Sequence, residues 1–328
     1  MLGGYRARLA AQDVVANPTK HEELPEVEAQ RKAEDDFVND LVNLGKVQKS
    51  QIRRRLRVSD TFGKGQRELQ IVLTTDFSVF VFLVKPWSGK YKPGADAKDW
   101  LSISETDEAT SIKLIKSPLL EIEQQCKLLH SHLISTGAAV KSSAVEGFLI
   151  FSSSSIDLPE DVLELEHVLT GSKIKSFCRK LEKSWTQYLT DPLKPSFFTG
   201  ALSYKQLSAA NIGLSKGGSY DKIKLTGGRL IEGDFKACPM TSFDRSEIGR
   251  LEFIHNRTTW FGSAKALLGA QPTVTIRLYK RGQTPGWISS GSFSTNEIPF
   301  NVSAEFHAAG ESAIAKIPVN EIEFINLA

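Results

Sequence analysis

Apolar residues recur along this chain first at helical and then at strand spacing. From Pro25 onward Val27, Phe37, Val38, Leu41 and Leu44 form a stripe with acids and bases on the opposite face, which predicts a helix that Gly45 would stop. The residues before it, 1–24, are small and polar and read as a flexible arm. In Gln51–Val58 the apolar positions Ile52, Leu56 and Val58 fit an edge strand or a short helix, and periodicity does not choose between them. Glu68–Thr75 and Val79–Lys85 are β-branched-rich runs separated by Asp76-Phe77-Ser78, a hairpin pattern. A further short strand is expected before Trp100. Ser117-Pro118 then opens a helix whose apolar face is Leu119, Leu120, Ile122, Leu128, Leu129, Leu133 and Ile134, with Gly137 just beyond its end. Val145–Phe151 is a continuous apolar run, the mark of a strand buried within a mixed sheet. A short strand at Val168–Leu169 and an amphipathic helix through Phe177, Leu181 and Trp185 follow.

Two prolines, Pro192 and Pro195, break that helix and mark a boundary. Beyond about Tyr220 the chain reads as alternating strands, and Gly227-Gly228 is a tight-turn signal. Strands at this spacing predict a small barrel or sandwich. The expected fold class is therefore α+β: an N-terminal α-β-β-β-α-β domain with a mixed sheet at 25–190, a linker at 191–219, and an all-β domain at 220–328.

Composition narrows the partners and the compartment. The length of 328 residues suits two domains, and a net charge of +3 excludes neither nucleic acid nor protein as partner. No apolar run approaches the length of a membrane span. The amino terminus lacks the apolar core of a signal peptide. Three scattered cysteines, Cys126, Cys178 and Cys238, form no zinc pattern and point to a reducing, intracellular compartment, cytoplasmic or nuclear. His130 and His132 lie two apart on a helix and face different ways, so they are no metal pair. No nucleophile elbow or phosphate-binding loop is present.

Several of these residues together resemble the NERD (nuclease-related) domain. The likeness lies in Ala33-Glu34, in Glu68 to Asp76, in Val79 to Gly89, in Trp100, in Ser117-Pro118 and in Gly147–Phe151. Its most specific piece is Val84-Lys85-Pro86-Trp87-Ser88-Gly89, where a member would typically read Glu-Val-Lys-Asn-Trp-Ser-Gly, the glutamate falling at Leu83. The resemblance implies a restriction-endonuclease-like core that holds Mg²⁺ between an aspartate on one hairpin strand and a glutamate on the next, with a lysine stabilising charge. Here the aspartate position is Gln70, the glutamate position is Leu83, and Lys85 remains. Glu34 matches the first-helix acid. The helix glutamine corresponds to Glu121, or in a shifted alignment to Gln124 or Gln125.

Leu83 offers a cation only hydrocarbon, and losing a member of an interdependent catalytic unit costs orders of magnitude in rate. The resemblance therefore implies a non-catalytic, cofactor-free binding protein, with nucleic acid or protein as partner. The alternative is a Mg²⁺-dependent nuclease with a relocated site built from Glu34, Glu68 and Glu121. Arg53, Arg54 and Arg55, with Arg57, Lys64 and Arg67, form a basic strip that could follow phosphates, and Lys85 and Trp87 would extend it. The bland account of that strip is a solvated face salt-bridged to Glu34-Asp35-Asp36. In the C-terminal domain, the basic strand end Arg277–Arg281 could touch nucleic acid or an acidic protein surface, and an exposed strand edge would offer β-augmentation by a peptide as the alternative.

Overall fold

The computed structural model describes residues 24–59, 66–96, 98–106, 109–187, 202, 204–239, 242–256, 273–282, 292–311 and 313–328. The arm, Lys64, the prolines at 192 and 195 and the side chain of Trp185 lie outside the described residues. The chain divides into two compact units, one built from Glu28–Ser219 and the other centred on Tyr220–Ala328.

The first unit follows the hydrophobic pattern closely. Helix α1 (Pro25–Asn43) buries Ala33, Phe37 and Leu41, and also Glu34. The ambiguous basic segment is a strand, β1 (Ile52–Ser59), at the edge of a five-stranded sheet. It pairs with β2 (Gln66–Thr74), which turns through Thr75–Ser78 into β3 (Val79–Lys85). The expected third strand widens into a meander, β4 (Gly89–Pro93), β5 (Asp99–Thr106) and β6 (Ala109–Lys116), which forms a separate sheet. Helix α2 (Pro118–Ser135) starts as its sequence demands: the Ser117 hydroxyl accepts the Leu120 amide, and Pro118 needs no partner for a missing N–H. Gly137, past its end, takes φ +94°, a conformation that glycine adopts without strain.

Strand β7 (Val145–Phe151) returns parallel to β3, as its uninterrupted apolar run predicts. The chain continues through β8 (Ile156–Asp157), the single turn α3 (Glu160–Leu163), β9 (Val168–Thr170) and α4 (Gly171–Gln187). The main sheet has the order β1-β2-β3-β7-β9, and the meander pairs with β8 in the order β6-β5-β4-β8. One face of the main sheet packs on α1 and α4 through Phe37, Phe80, Phe82, Phe148 and Phe177. The other packs on α2 through Val81, Leu83, Leu129, Leu133 and Leu149.

The 191–219 linker expectation needs correction over its second half. Tyr204–Ser215 is a helix, α5, whose Ala210 and Leu214 are buried in the α2-side core. Gly213 allows the approach: a methyl group there would stand 2.5 Å from the Thr136 hydroxyl.

The second unit is one antiparallel sheet. Its strands are β10 (Asp221–Leu225), β11 (Leu230–Ala237), β12 (Ile248–His255), β13 (Thr273–Lys280), β14 (Ser292–Pro299), β15 (Ser303–Ala308), β16 (Ala315–Pro318) and β17 (Ile322–Asn326). The order β14-β13-β12-β17-β10-β11-β15-β16 leaves two edges, so the barrel-or-sandwich expectation resolves to an open, curled half-barrel. Gly228, at φ +81°, makes the predicted tight turn between β10 and β11. Asp221 ties this unit together. Its buried carboxylate accepts the Phe235 amide at 2.7 Å, the Ala328 amide at 2.9 Å and the Arg245 guanidinium at 2.7 Å.

Candidate functional site

The β2–β3 ladder runs from Thr74↔Val79 to Ile71↔Phe82 and stops. One step further lie Gln70 and Leu83, the two positions that sequence singles out. They do not pair; instead the Gln70 side-chain oxygen accepts the Val84 amide at 2.6 Å. A strand normally alternates faces, so residues two apart share one. Leu69 and Ile71 nevertheless belong to cores on opposite faces of the sheet.

The neighbouring strand switches at the same rung. Arg54 pairs with Ile71 and Leu56 with Leu69, while Arg55 between them carries φ +48°. Ile52 faces the α1 side and Leu56 the α2 side. Both strands thus change face together at Arg55 and Gln70, which lets successive arginines, Arg54 and Arg55, both reach α1.

Glu34 waits there, 1% exposed. Its Oε2 is 3.4 Å from Arg55 Nε and 3.8 Å from an Arg54 guanidinium nitrogen, and Arg54 also meets Asp35 at 2.6 Å. Gln30 donates to Glu34 Oε1 and to the Val84 carbonyl, each at 2.9 Å. Burial pushes the Glu34 carboxyl above its ordinary range; the Glu68 charge adds to that, and Arg55, Gln30 and Arg54 oppose it. Val84 is therefore clamped on both sides, its amide by Gln70 and its carbonyl by Gln30. Sequence reading missed Gln30; its one visible signal is the four-residue spacing from Glu34.

Lys85, next along β3, reaches across to Glu121 of α2 at 2.9 Å and lies 5.6 Å from the centre of the Trp87 ring. Trp87 lies flat on Tyr91, with centroids 4.7 Å apart, and Trp100 is buried in the core. Leu83 is fully buried in the α2-side core. Glu68 and Glu121 line one cavity of about 550 Å³ with Gln124 and Gln125.

Mg²⁺ takes six oxygens, one or two of them from protein carboxylates and the rest from water or phosphate. In this arrangement Leu83 supplies none, Gln70 gives its oxygen to a backbone amide, Glu34 faces guanidinium groups, and Glu121 holds Lys85. Among the described residues no three His, Cys, Asp or Glu side chains gather closely enough to hold a metal ion. The residues do not fit the ion that the fold resemblance implies.

The basic strip is similarly engaged. Arg53 donates to the Ser50 carbonyl, while Arg54 and Arg55 answer the acids of α1. The remaining candidate side chains are structural: His130, His132 and His255 each bond a backbone carbonyl. Burial pushes the Cys126 and Cys178 thiols up to about 12, so both stay neutral.

A surface that sequence reading did not find lies on the meander. Register aligns Lys92 with Leu101 and Leu114, and Lys90 with Ile103 and Ile112. The opposite face, with Tyr91, Trp100 and Ile115, packs on the core. Ile112 and Leu114 are 61% and 64% exposed on β6, an edge strand. No helix among the described residues is long and apolar enough to cross a membrane.

Comparison with known proteins places a family on this geometry. Residues 29–152 match the nuclease-related domain (NERD). No curated protein and no solved structure matches the chain.

Proposed function

We propose that the nuclease-related domain of this chain binds a partner without cleaving phosphodiesters, and that the partner is a protein laying an extended, acidic segment along β6. One observation carries the first half. At the positions that the resemblance assigns to metal ligands, Leu83 is sealed in the core and the Gln70 oxygen holds a backbone amide. A divalent ion there would face hydrocarbon and a committed dipole.

For the partner, the engagement of Arg53, Arg54, Arg55 and Trp87 within the fold speaks against a phosphate-tracking strip. The exposed Ile112 and Leu114 support a protein. Among the described residues strand β6 has no pairing strand on its outer side, and its charged residues from Thr110 to Lys116 are Lys113 and Lys116. An added strand gains affinity from backbone hydrogen bonds, and an acidic one complements these lysines. The edges β14 and β16 offer the C-terminal sheet places of the same kind.

A second reading, a nuclease with a displaced site at Glu34, Glu68 and Glu121, draws on the cavity that Glu68 and Glu121 share and on the Glu68 charge felt at Glu34. It requires Arg55 and Lys85 to release their acids. Purified full-length protein is incubated with labelled single- and double-stranded DNA and RNA, with and without Mg²⁺ or Mn²⁺. No cleavage is expected, and no salt-sensitive retention of any oligonucleotide. A fluorescent peptide alternating Glu and Val should bind, its Lys and Val counterpart should not, and the Ile112→Glu, Leu114→Glu double variant should lose the acidic peptide. Cleavage that vanishes in Glu68→Ala overturns the proposal in favour of the second reading.

A further inference from the structure

A second cavity in the first unit, of about 650 Å³, lies against α2, the start of β7 and the Pro93 and Trp100 strands. Its origin is in the sheet. Strand β9 pairs with β7 only from Leu149 onward, so among the described residues Glu146–Phe148 has β3 on one side and no strand on the other. The Leu149 amide bonds the His167 carbonyl on that outer side. Because a parallel ladder alternates its bonds, the amide and carbonyl of Gly147, two residues earlier, face the same way. Gly147 also lets α2 come close: a methyl group there would stand 2.6 Å from Cys126 Sγ and 2.7 Å from Ile122 Cγ1.

The walls are chiefly apolar, with Trp100, Leu120, Ile122 and Phe148 among them. Beside the neutral Ser117 and His167, the charged side chains are of one sign. Glu123, Glu146 and Glu166 line the cavity, and no lysine or arginine does so among the described residues. Glu123 is paired with Lys127 at 2.6 Å, and Glu166 is exposed. Glu146 is half-buried; its Oε1 accepts the Ser78 hydroxyl at 2.7 Å, which leaves Oε2 for a ligand. A site of a few hundred cubic ångströms, mostly apolar with one or two convergent polar groups, is the usual form of a small-molecule pocket.

We infer that this cavity binds an amphiphilic amine, its apolar body against Trp100, Leu120, Ile122 and Phe148 and its ammonium beside Glu146 and the Gly147 carbonyl. This inference stands independently of the reading of the nuclease-related site. Burial raises the Glu146 carboxyl above its ordinary range, and a seated ammonium would relieve that cost. Burial also lowers His167, so it does not compete as a cation at neutral pH.

The test is a matched pair of probes, 4-phenylbutylamine and 4-phenylbutyrate, titrated into the full chain by calorimetry, with the change in tryptophan fluorescence that a Trp100→Phe variant loses as a second readout. The amine should bind saturably and the acid should not. Glu146→Gln should weaken the amine about tenfold or more, the loss of one charge-assisted hydrogen bond. Leu120→Trp, which fills the cavity and leaves Glu146 in place, should abolish amine binding; this variant decides the matter where Glu146→Gln fails to fold. Equal binding of the two probes, no amine binding at millimolar concentration, or unchanged amine affinity in either folded variant overturns the inference.

Discussion

Arg55 is the residue at which backbone geometry and site electrostatics can be separated by experiment. It is 8% exposed, holds φ +48° in the middle of a strand, and supplies the nearest cation to a carboxylate that is 1% exposed. Truncating one partner of a buried ion pair costs about 3–5 kcal/mol, because the other charge stays buried. Arg54 at 3.8 Å and Gln30 at 2.9 Å remain beside Glu34. Arg55→Ala should therefore fall at the lower end, about 3 kcal/mol. The left-handed conformation costs a non-glycine residue about 1–2 kcal/mol, and alanine inherits that cost while glycine does not. Arg55→Gly should accordingly lose only about 2 kcal/mol, and the difference between the two variants measures the relief of backbone strain less the conformational entropy that glycine costs.

The pH dependence gives an independent sign. Glu34 holds its proton more tightly in the folded than in the unfolded chain, since burial raises its pKa. Its contribution to stability is therefore most favourable below the ordinary glutamate range and declines as pH rises through the raised value. Arg55 opposes that rise, so removing it widens the window. The Arg55→Ala deficit should be full at neutral pH and should shrink on acidification as Glu34 takes up its proton. Adding Glu34→Gln to Arg55→Ala should recover much of the loss at pH 7. Urea unfolding followed by tryptophan fluorescence, with hydrogen exchange read on β1 to β3, measures all four proteins. A deficit in Arg55→Ala that stays under about 0.5 kcal/mol, or one that does not change with pH, refutes the pairing argument.

Leu83→Glu places a carboxylate in a fully buried apolar position; at pH 7 it should lower Tm further than Leu83→Ala does, and the gap should close in acid, whereas wild-type-like stability would show that position 83 reaches water or a cation. Gly213→Ala sets a methyl group 2.5 Å from the Thr136 hydroxyl and should cost about 1–3 kcal/mol, with faster exchange confined to α5 and its contact with α2. Asp221→Ala removes the acceptor for two backbone amides and Arg245; the C-terminal unit should lose about 3 kcal/mol or more, with Asp221→Asn milder, as read by exchange in β10, β11 and β17.

Sequence made much of the first unit legible because its signals are local. Ser117-Pro118 is a helix start by side-chain chemistry alone, and Val145–Phe151 could only be an interior strand. The failures share a cause: each depends on contacts distant in sequence. Leu207, Ala210 and Leu214 form too thin a stripe to identify α5 until α2 is present to cover it. Nothing local distinguishes a closed barrel from an open sheet ending at β14 and β16. The arginine run does meet the acids that sequence offered, at Glu34 and Asp35, but no pattern of residue types reveals that Arg55 is buried with a positive φ. That one dihedral angle turns two successive side chains toward α1. Alternation also breaks at Gln70 on the neighbouring strand, where Leu69 and Ile71 lie on opposite faces.

Under the proposed function, Gln70 and Leu83 at the positions that the resemblance assigns to metal ligands and the inward turn of Arg55 belong to one connected arrangement. Glu34 is buried and needs positive charge nearby. In a metal-dependent nuclease of this fold an exchangeable ion would lie within reach of such an acid; here a guanidinium does so instead. The two cations are chemically unlike. A metal offers open positions for water and phosphate oxygen, whereas Arg55 offers N–H donors in a fixed plane and activates no water. Val84 is clamped by Gln30 and Gln70, and Lys85 is tied to Glu121, so side-chain hydrogen bonds hold the end of β3. A chelator added to the full chain should therefore leave the unfolding midpoint of the first unit where it stands, while Arg55→Ala moves it. A midpoint that falls on chelation and returns with Mg²⁺ would place the stabilising charge in a bound ion and remove Arg55 from that role.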